Sequence, residues 1–270
     1  MSLRDELSDV VSDERRDLVP TRLSLVGDVA IISIPPELEG QKREIGDAII
    51  SGHKNVRTVL RKISKLEGER RVASFEVLAG CCTATIHREF GFVYSLDVAR
   101  VFFNPRLGSE RMRVASKALP GERAIVPFAG VGPFAIPLAA AGARVLALEI
   151  SPEACGWLAE NARQNRVGKK IDIVNCDAFA LCRCFKKRGT KAEFDRAVVP
   201  TPYGRDDILG LISPIVRPGG AIHFYTFKKR HQIEGLIKGF EEEGLEVDFR
   251  RRCGNVAPGV SRWAFDLAKL

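Results

Sequence analysis

The sequence predicts an α/β protein in two parts. A doubly wound domain with a mixed seven-stranded sheet occupies residues 93–270, preceded by a small basic α/β domain at 21–92 and an N-terminal arm at 1–20. Three observations predict it. From Arg123 onward, apolar strand-like runs alternate with stretches of helical spacing, which argues a largely parallel sheet covered by helices. A glycine turn, Ala129-Gly130-Val131-Gly132, follows the first of these runs, and the second run closes on an acid, Glu149. Two late runs, Leu245 to Arg251 and Ser261 to Ala268, have the pattern of an antiparallel hairpin that closes the sheet.

Taken in order, residues 1–20 mix acids and bases and predict a short helix or a frayed arm. An apolar strand from Ser24 ends at Pro35-Pro36, and Glu37 to Ser51 has helical spacing with Leu38, Ile45, Ala48 and Ile49 as its buried face. Val56 to Ile63, Phe75 to Ala79 and Thr83 to Glu89 read as strands, and Phe90 to Phe103 joins the halves as extended chain. A helix then starts with Ser109 as N-cap, Glu110 in its first turn, and Met112, Ala115 and Leu119 as its buried stripe. In the larger part, strands are predicted at Arg123 to Phe128, Arg144 to Leu148, Ile171 to Asn175, Phe194 to Val199 and Ala221 to Phe227. Helices are predicted at Pro133 to Ala141, Ile208 to Val216 and Gln232 to Gly244.

With 45% hydrophobic and 28% charged residues the composition is that of a globular chain, and no apolar run is long enough to span a bilayer. The charged N-terminus lacks an apolar signal core, so a cytoplasmic location is expected. Seven cysteines, an odd number without a CxxC pair, argue against a zinc site or a disulfide framework, and no metal is expected. A formal charge of +8 fits a polyanionic partner. The bases cluster at Lys54, Arg57, Arg61, Lys62 and Lys65; at Arg183, Lys186, Lys187, Arg188 and Lys191; at Lys228-Lys-Arg230; and at Arg250-Arg-Arg252.

The chemistry is concentrated in the turns that follow the strands. Glycines in the 129–132 turn allow a ligand to lie against main-chain N–H groups, and Glu149 can accept from both hydroxyls of an adenosine ribose. By itself the loop also permits NAD or FAD, although no hydride-transfer constellation accompanies it. Asp177, after the third strand, is suited to an adenine amino group, and the fourth strand runs into Pro200-Thr-Pro-Tyr-Gly204. Phe128-x-Gly-x-Gly with a Pro-Tyr loop resembles a Rossmann-like class I S-adenosylmethionine (SAM) enzyme. That resemblance implies SAM as cofactor, held by Phe128, Ala129, Gly130, Val131, Gly132, Phe134, Glu149, Ile150, Asp177, Ala178 and Pro200.

From about Ser24 the chain resembles the Trm5/TYW2 family of tRNA guanosine-37 modifying enzymes. The resemblance is carried by Gly27-Asp-Val-Ala-Ile-Ile32, Val56-x-Thr58-Val-Leu-Arg61 with Glu67-Gly-Glu69, Ile86-His-Arg-Glu-Phe-Gly91, Phe103-Asn-Pro-Arg-Leu107 with Glu110-Arg111, and Phe128-Ala-Gly-Val-Gly-Pro-Phe134. It implies a tRNA substrate gripped at the anticodon stem-loop, and a monomer is expected. Two chemistries exist in the family: methyl transfer to N1 of guanosine 37, and transfer of the aminocarboxypropyl arm of SAM to a wyosine precursor. Asn104-Pro-Arg-Leu and Gly-Pro-Phe134 resemble the methyltransferase branch, whereas Ala257-Pro258-Gly259-Val260 resembles the TYW2 branch. The sequence departs from the family where an acid is replaced by Val126 and where the strand-four Asn-Leu-Pro is Pro200-Thr201-Pro202. A tRNA-binding paralogue with a degenerate catalytic loop is therefore a third reading.

Guanine N1 is protonated at neutral pH, so methyl transfer needs a base at N1 and a cation at O6. Arg106 or Arg111 is assigned to O6 or a flanking phosphate. Glu110 is assigned as base, with an ordinary first-turn helix acid as the alternative. Pro202 and Tyr203 belong to the acceptor loop, where Tyr203 can stack on an unstacked base or simply pack within the loop. Arg57, Arg61, Lys62, Arg88 and Arg106 are the expected RNA contacts, and His87 and His223 are expected to be structural.

Overall fold

The computed structural model describes residues 3–8, 10–20, 23–63, 73–187 and 193–270. It divides into two compact units, Met1–Arg106 and Leu107–Leu270. Glu67 and Glu69, with Lys65, Arg188 and Lys191 of the basic clusters, lie outside the described residues.

In the first unit the arm is part of the core. Helix α1 (Leu3–Glu6) and the turns after it bury Leu3, Leu7, Val11 and Val19 against Ile32, Leu38, Ile45, Ile49 and Val59. The single strand expected from Ser24 is instead a hairpin, β1 (Ser24–Val26) and β2 (Val29–Ile32), because the chain reverses at Gly27-Asp28. A parallel connection through α2 (Lys42–Gly52) leads to β3 (Thr58–Lys62), and β4 (Phe75–Ala79) adds antiparallel, giving the order β1-β2-β3-β4. Leu38, Ile45 and Ile49 are buried as the helical spacing predicts, while Ala48 is only half-buried. The stretch expected to link the halves as extended chain forms a hairpin, β5 (Ala84–Glu89) with β6 (Phe92–Asp97), paired along six residues. That pairing carries the compact unit past residue 92 to Arg106.

The second unit opens with α3 (Gly108–Ala115), followed by β7 (Arg123–Pro127), α4 (Ala135–Ala140), β8 (Arg144–Glu149), α5 (Pro152–Gln164), β9 (Ile171–Asn175), α6 (Ala178–Lys187) and β10 (Phe194–Pro200). It continues with α7 (Leu209–Ile212), β11 (Val216–Lys229), α8 (Ile233–Glu242), β12 (Leu245–Ala257) and β13 (Val260–Lys269). The strands form one sheet in the order β12-β13-β11-β10-β7-β8-β9, parallel from β11 to β9, with β13 antiparallel to β11 and β12 antiparallel to β13. Ile125, Leu148, Ala197, Val199, Ile222, Phe224 and Phe265 are fully buried at its centre.

Three local expectations are corrected. Helix α3 starts at Gly108 and stops at Ala115, with Leu107 rather than Ser109 at its N-cap, so Leu119 lies beyond it and is 63% exposed. Its buried face is Glu110, Arg111, Val114 and Ala115, with Met112 only half-buried. The helix expected over 208–216 is four α-helical residues between two 3-10 turns, broken where Pro214 supplies no N–H. The closing hairpin runs on to Ala257 and Val260, so Pro258-Gly259 is its turn.

Charge, not only apolar contact, holds α3 to the sheet. His223 on β11 and Asp266 on β13 face each other in register, and both are buried. Asp266 receives Arg113 Nη1 and Nη2 (2.5 and 3.0 Å), Lys117 Nζ (2.6 Å) and His223 Nδ1 (2.6 Å). Arg196 Nη1 meets His223 Nε2 at 2.7 Å, and a guanidinium can only donate, so His223 is neutral with its proton on Nδ1. Burial pushes the imidazole below its ordinary value against the opposing pull of Asp266. Burial acts to raise the Asp266 carboxyl, but its hydrogen bonds from His223, Arg113 and Lys117 outweigh this and hold it well below the usual range.

Candidate cofactor and acceptor site

The strand order reverses between β7 and β10, and in sheets of this kind ligands bind outside the carboxyl ends of the strands at such a point. The turn leaving β7 is built tightly. Phe128 has φ +56° and Gly130 φ +55°, so a bulky residue is held in the left-handed region at the head of the loop. Gly132 has φ +94°, and a Cβ there would lie 2.3 Å from Leu158 Cδ1 on α5. Only glycine fits. Ala129 N–H donates to Leu148 O (2.9 Å), and the buried Asn161 side chain donates to Val131 O (3.0 Å). Asn161 was missed by sequence reasoning, because a polar residue in a helix gives no sign of which loop it ties down.

Glu149 ends β8 beside this turn and is 9% exposed. Its Oε2 accepts from Gly130 N–H (2.8 Å) and its Oε1 from Ser151 N–H (2.9 Å). Each carboxylate oxygen has a second acceptor direction, so the group retains capacity for two hydroxyl donors such as those of a ribose. Asn175 Nδ2, from the end of β9, donates to the carbonyls of Glu149 and Ile150 (2.9 and 3.0 Å). Asp177 Oδ1 accepts from Phe179 N–H (2.9 Å) at the start of α6, next to the buried Ala178. The rings of Phe128 and Phe179 are 6.0 Å apart, and Phe134 lies 5.2 Å from Tyr225. Phe128 to Gly132, Phe134, Glu149, Ile150, Asp177, Ala178 and Pro200 thus come from the ends of four neighbouring parallel strands. Their donors, acceptors and missing Cβ atoms fit an adenosine-bearing group.

At the end of β10, Thr201 is buried and folds back on Val199 O through its N–H (2.8 Å) and hydroxyl (3.2 Å). Tyr203 is 61% exposed, with its ring 5.5 Å from Phe227. Two residues on, the Arg205 guanidinium sits 4.1 Å from the Phe179 ring centroid, a cation at the crevice that the sequence reading did not single out.

Glu110, expected as the base or as an ordinary first-turn helix acid, is enclosed by side chains distant in the sequence. Tyr225 Oη–H donates to its Oε2 (3.2 Å), as does Arg113 Nε (3.0 Å), and the residue is 2% exposed. Arg251 Nη2 lies 3.0 Å from Oε1 as an ion pair off the hydrogen-bonding direction, so Oε1 is a buried acceptor with no hydrogen bond. Burial and the neighbouring Glu110 charge drive the Tyr225 phenol well above its ordinary value, which keeps it a donor. Arg111 is also 2% exposed and does not present its guanidinium to solvent as a phosphate grip requires.

In the first unit the expected RNA contacts separate into two kinds. Arg57 has 85% of its side chain exposed, Arg88 and Arg106 are exposed, and Lys62 is half-buried. Arg106 Nη2 donates to Ser24 Oγ (3.1 Å). Arg61 is a correction: it is bound to Glu39 and Glu76 in a cluster with Lys42, and hydrogen bonds from Arg61 and Lys42 pull the Glu39 carboxyl down to about 2. Its charge is already answered. His87 Nδ1 accepts from Gly27 N–H (3.2 Å), a structural contact.

A seven-stranded sheet of this order, with the glycine turn after β7 and an acid ending β8, defines a class I methyltransferase domain. The TRM5/TYW2 methyltransferase domain matches residues 85–249 and the TYW2 N-terminal domain residues 3–83; the chain belongs to the TRM5/TYW2 family. The tRNA (guanine(37)-N(1))-methyltransferase Trm5b of Pyrococcus abyssi is 41% identical over 264 residues, 95% of this chain and 77% of that protein. The tRNA(Phe) (4-demethylwyosine(37)-C(7)) aminocarboxypropyltransferase of Pyrococcus horikoshii is 38% identical over 98% of this chain and 95% of that protein. Among solved structures, the complex of aTrm5 and tRNALeu superposes with a TM-score of 0.88 at 31% identity, over 100% of this chain and 78% of that one. Pyrococcus horikoshii TYW2 in complex with MeSAdo gives 0.77 at 29% identity, over 98% and 97%. No described helix is long and apolar enough to cross a membrane.

Proposed function

We propose that this protein transfers a methyl group from SAM to N1 of guanosine 37 in tRNA. The observation that carries the reading is the Glu110 carboxylate: Oε2 is held by Tyr225, whose ring packs on Phe134 of the glycine loop, while Oε1 is a buried acceptor without a hydrogen bond. Its ion pair with Arg251 (3.0 Å) lacks hydrogen-bond geometry, so Oε1 keeps an acceptor direction for a donor. Similarity to the P. abyssi Trm5b over nearly the whole chain supports the same reading.

Bound SAM supplies an electrophilic methyl on a sulfonium. The chain's own part is to hold the adenosine with Glu149 and the 128–134 loop, and to present the guanine N1–H to Glu110 Oε1. Glu110 would take the N1 proton, and bound SAM would supply the methyl and leave as a neutral thioether. Tyr203 stacks on the base, and Arg106 takes O6 or a flanking phosphate. Arg57, Lys62 and Arg88 contact the RNA backbone. The bound element is the anticodon stem-loop, with one protein chain per tRNA, in the cytoplasm.

One observation favours the second chemistry: residues 3–83 match the TYW2 N-terminal domain, and the aminocarboxypropyltransferase relative matches 98% of the chain. Methyl-labelled and carboxyl-labelled SAM, each given with unmodified tRNA and with tRNA carrying the wyosine precursor, separate the two. Methyl label in nucleoside 37, identified by mass spectrometry, establishes the first reading, and carboxyl label establishes the second. Bound tRNA with neither label identifies a binding paralogue.

A further inference from the structure

A second concavity lies at the same edge of the sheet as the crevice. Beyond β11, an open cleft of ≈ 730 Å³ is lined by Arg230, Arg252, Asn255, the 256–259 turn, Ser261 and Trp263. The ladder is irregular there. β12 loses register with β13 between Arg252 and Asn255 and again between Asn255 and Ala257, with Gly254 at φ +118°. Such bulges bend a strand and re-aim its side chains, and they concentrate beside functional sites.

The charges divide in a telling way. Arg250 pairs with Glu234 (2.8 Å), Arg251 with Glu110 (3.0 Å) and Lys228 with Asp206 (2.7 Å). Among the described residues no carboxylate lies within ion-pair distance of Arg230 or Arg252, the two arginines of the cleft. Arg252 Nη2 donates to Asn255 Oδ1 (2.6 Å), which also accepts from Ser261 Oγ (3.0 Å), so the fork is oriented with donors to spare. Trp263 Nε1 donates to Lys228 O (3.3 Å), which fixes the indole while leaving its ring as lining. Residues 262 and 263 project to opposite faces of β13, and on the face away from Trp263 the Tyr203 and Phe227 rings lie 5.5 Å apart at a 50° tilt, with the Arg262 guanidinium 4.9 Å from the Phe227 ring.

We propose that the cleft binds a single-stranded segment of the tRNA, with a phosphodiester on Arg230 and Arg252 and a base against Trp263. Paired cationic forks beside an aromatic ring suit that ligand, since guanidinium takes phosphate oxygens bidentately and every base offers a stacking face. The inference rests on the reading of tRNA as substrate.

The test uses the full chain, an unmodified tRNA transcript and binding measured across a salt series. Arg230→Ala with Arg252→Ala should weaken tRNA binding at least tenfold at low salt. The slope of log K against log salt should become shallower by roughly 1.4 to 1.8, about 0.7 to 0.9 per lost cation. SAM affinity should not change. Arg163→Ala with Arg217→Ala removes the same charge from α5 and from the amino end of β11, and should change tRNA binding less than twofold. In a Trp157→Phe background, saturating tRNA should alter Trp263 emission. Wild-type tRNA affinity and slope in the Arg230/Arg252 variant, an equal loss in the Arg163/Arg217 control, or unaltered Trp263 emission overturns the assignment. If the wild-type chain itself binds no tRNA, it is the substrate reading that fails.

Discussion

The Tyr225 hydroxyl donates to Glu110 Oε2 at 3.2 Å, joining the carboxyl end of β11 to α3. Because the Tyr225 ring also packs 5.2 Å from Phe134, the acid and the glycine loop are held by one side chain. Tyr225→Phe keeps the ring and removes the donor. Methyl transfer should fall about tenfold, in line with ~1.5 kcal/mol for a hydrogen bond to a charged group. SAM affinity should stay within about twofold, as measured by single-turnover kinetics beside calorimetry.

Glu110→Gln is roughly the same size and cannot accept a proton. If Glu110 is the base, kcat should drop by about 10² or more. Retained turnover at pH 7 would assign the residue to the ion-pair cluster alone.

Glu149→Ala removes the acid at the end of β8 together with the partner of Gly130 N–H. SAM affinity should fall by about tenfold to a hundredfold, from ~1.5–3 kcal/mol per charged hydrogen bond. tRNA affinity should be nearly intact. A swap of those two effects would show the adenosine to be held elsewhere.

Arg57 and Arg61 should separate. Arg57→Ala, at an exposed position, should weaken tRNA binding and flatten its salt dependence. Arg61→Ala breaks the contacts to Glu39 and Glu76, so it should lower the denaturation midpoint with little change in the salt slope.

Stability should decline with acid in two stages. His223 is buried and neutral with a lowered pKa, whereas the unfolded chain takes a proton near pH 6.5. The unfolded state then binds more protons, so stability is full above about pH 6.5 and falls below it, at up to ~1.4 kcal/mol per pH unit. Asp266 is also held low, so its contribution is lost as the pH drops below the usual carboxylate range. Urea midpoints between pH 7.5 and about 3 check this, and a flat profile from 6.5 to 5 would refute a neutral His223.

Much of the candidate site's framework was legible because its signals are local in the chain. Gly130 and Gly132 announce a turn that side chains cannot make, and Glu149 follows at the end of the next strand. The places where the reading fell short depend on distant partners. Glu110 looks like a surface helix acid until Tyr225 and Arg251, more than a hundred residues away, are folded around it. Arg61 looks like an RNA contact until Glu39 and Glu76 close on it. Phe92–Asp97 looks like a linker because nothing in its own residues marks Ala84–Glu89 as its pairing partner.

By itself the sequence determined the succession of strands and helices, the position of the glycine loop and the acid beside it, because side-chain period and backbone freedom are properties of neighbouring residues. Only the tertiary structure decided which charges stay exposed and which are neutralised inside. A carboxylate or guanidinium takes its partners from strand register and helix docking, and those are set by burial across the whole sheet.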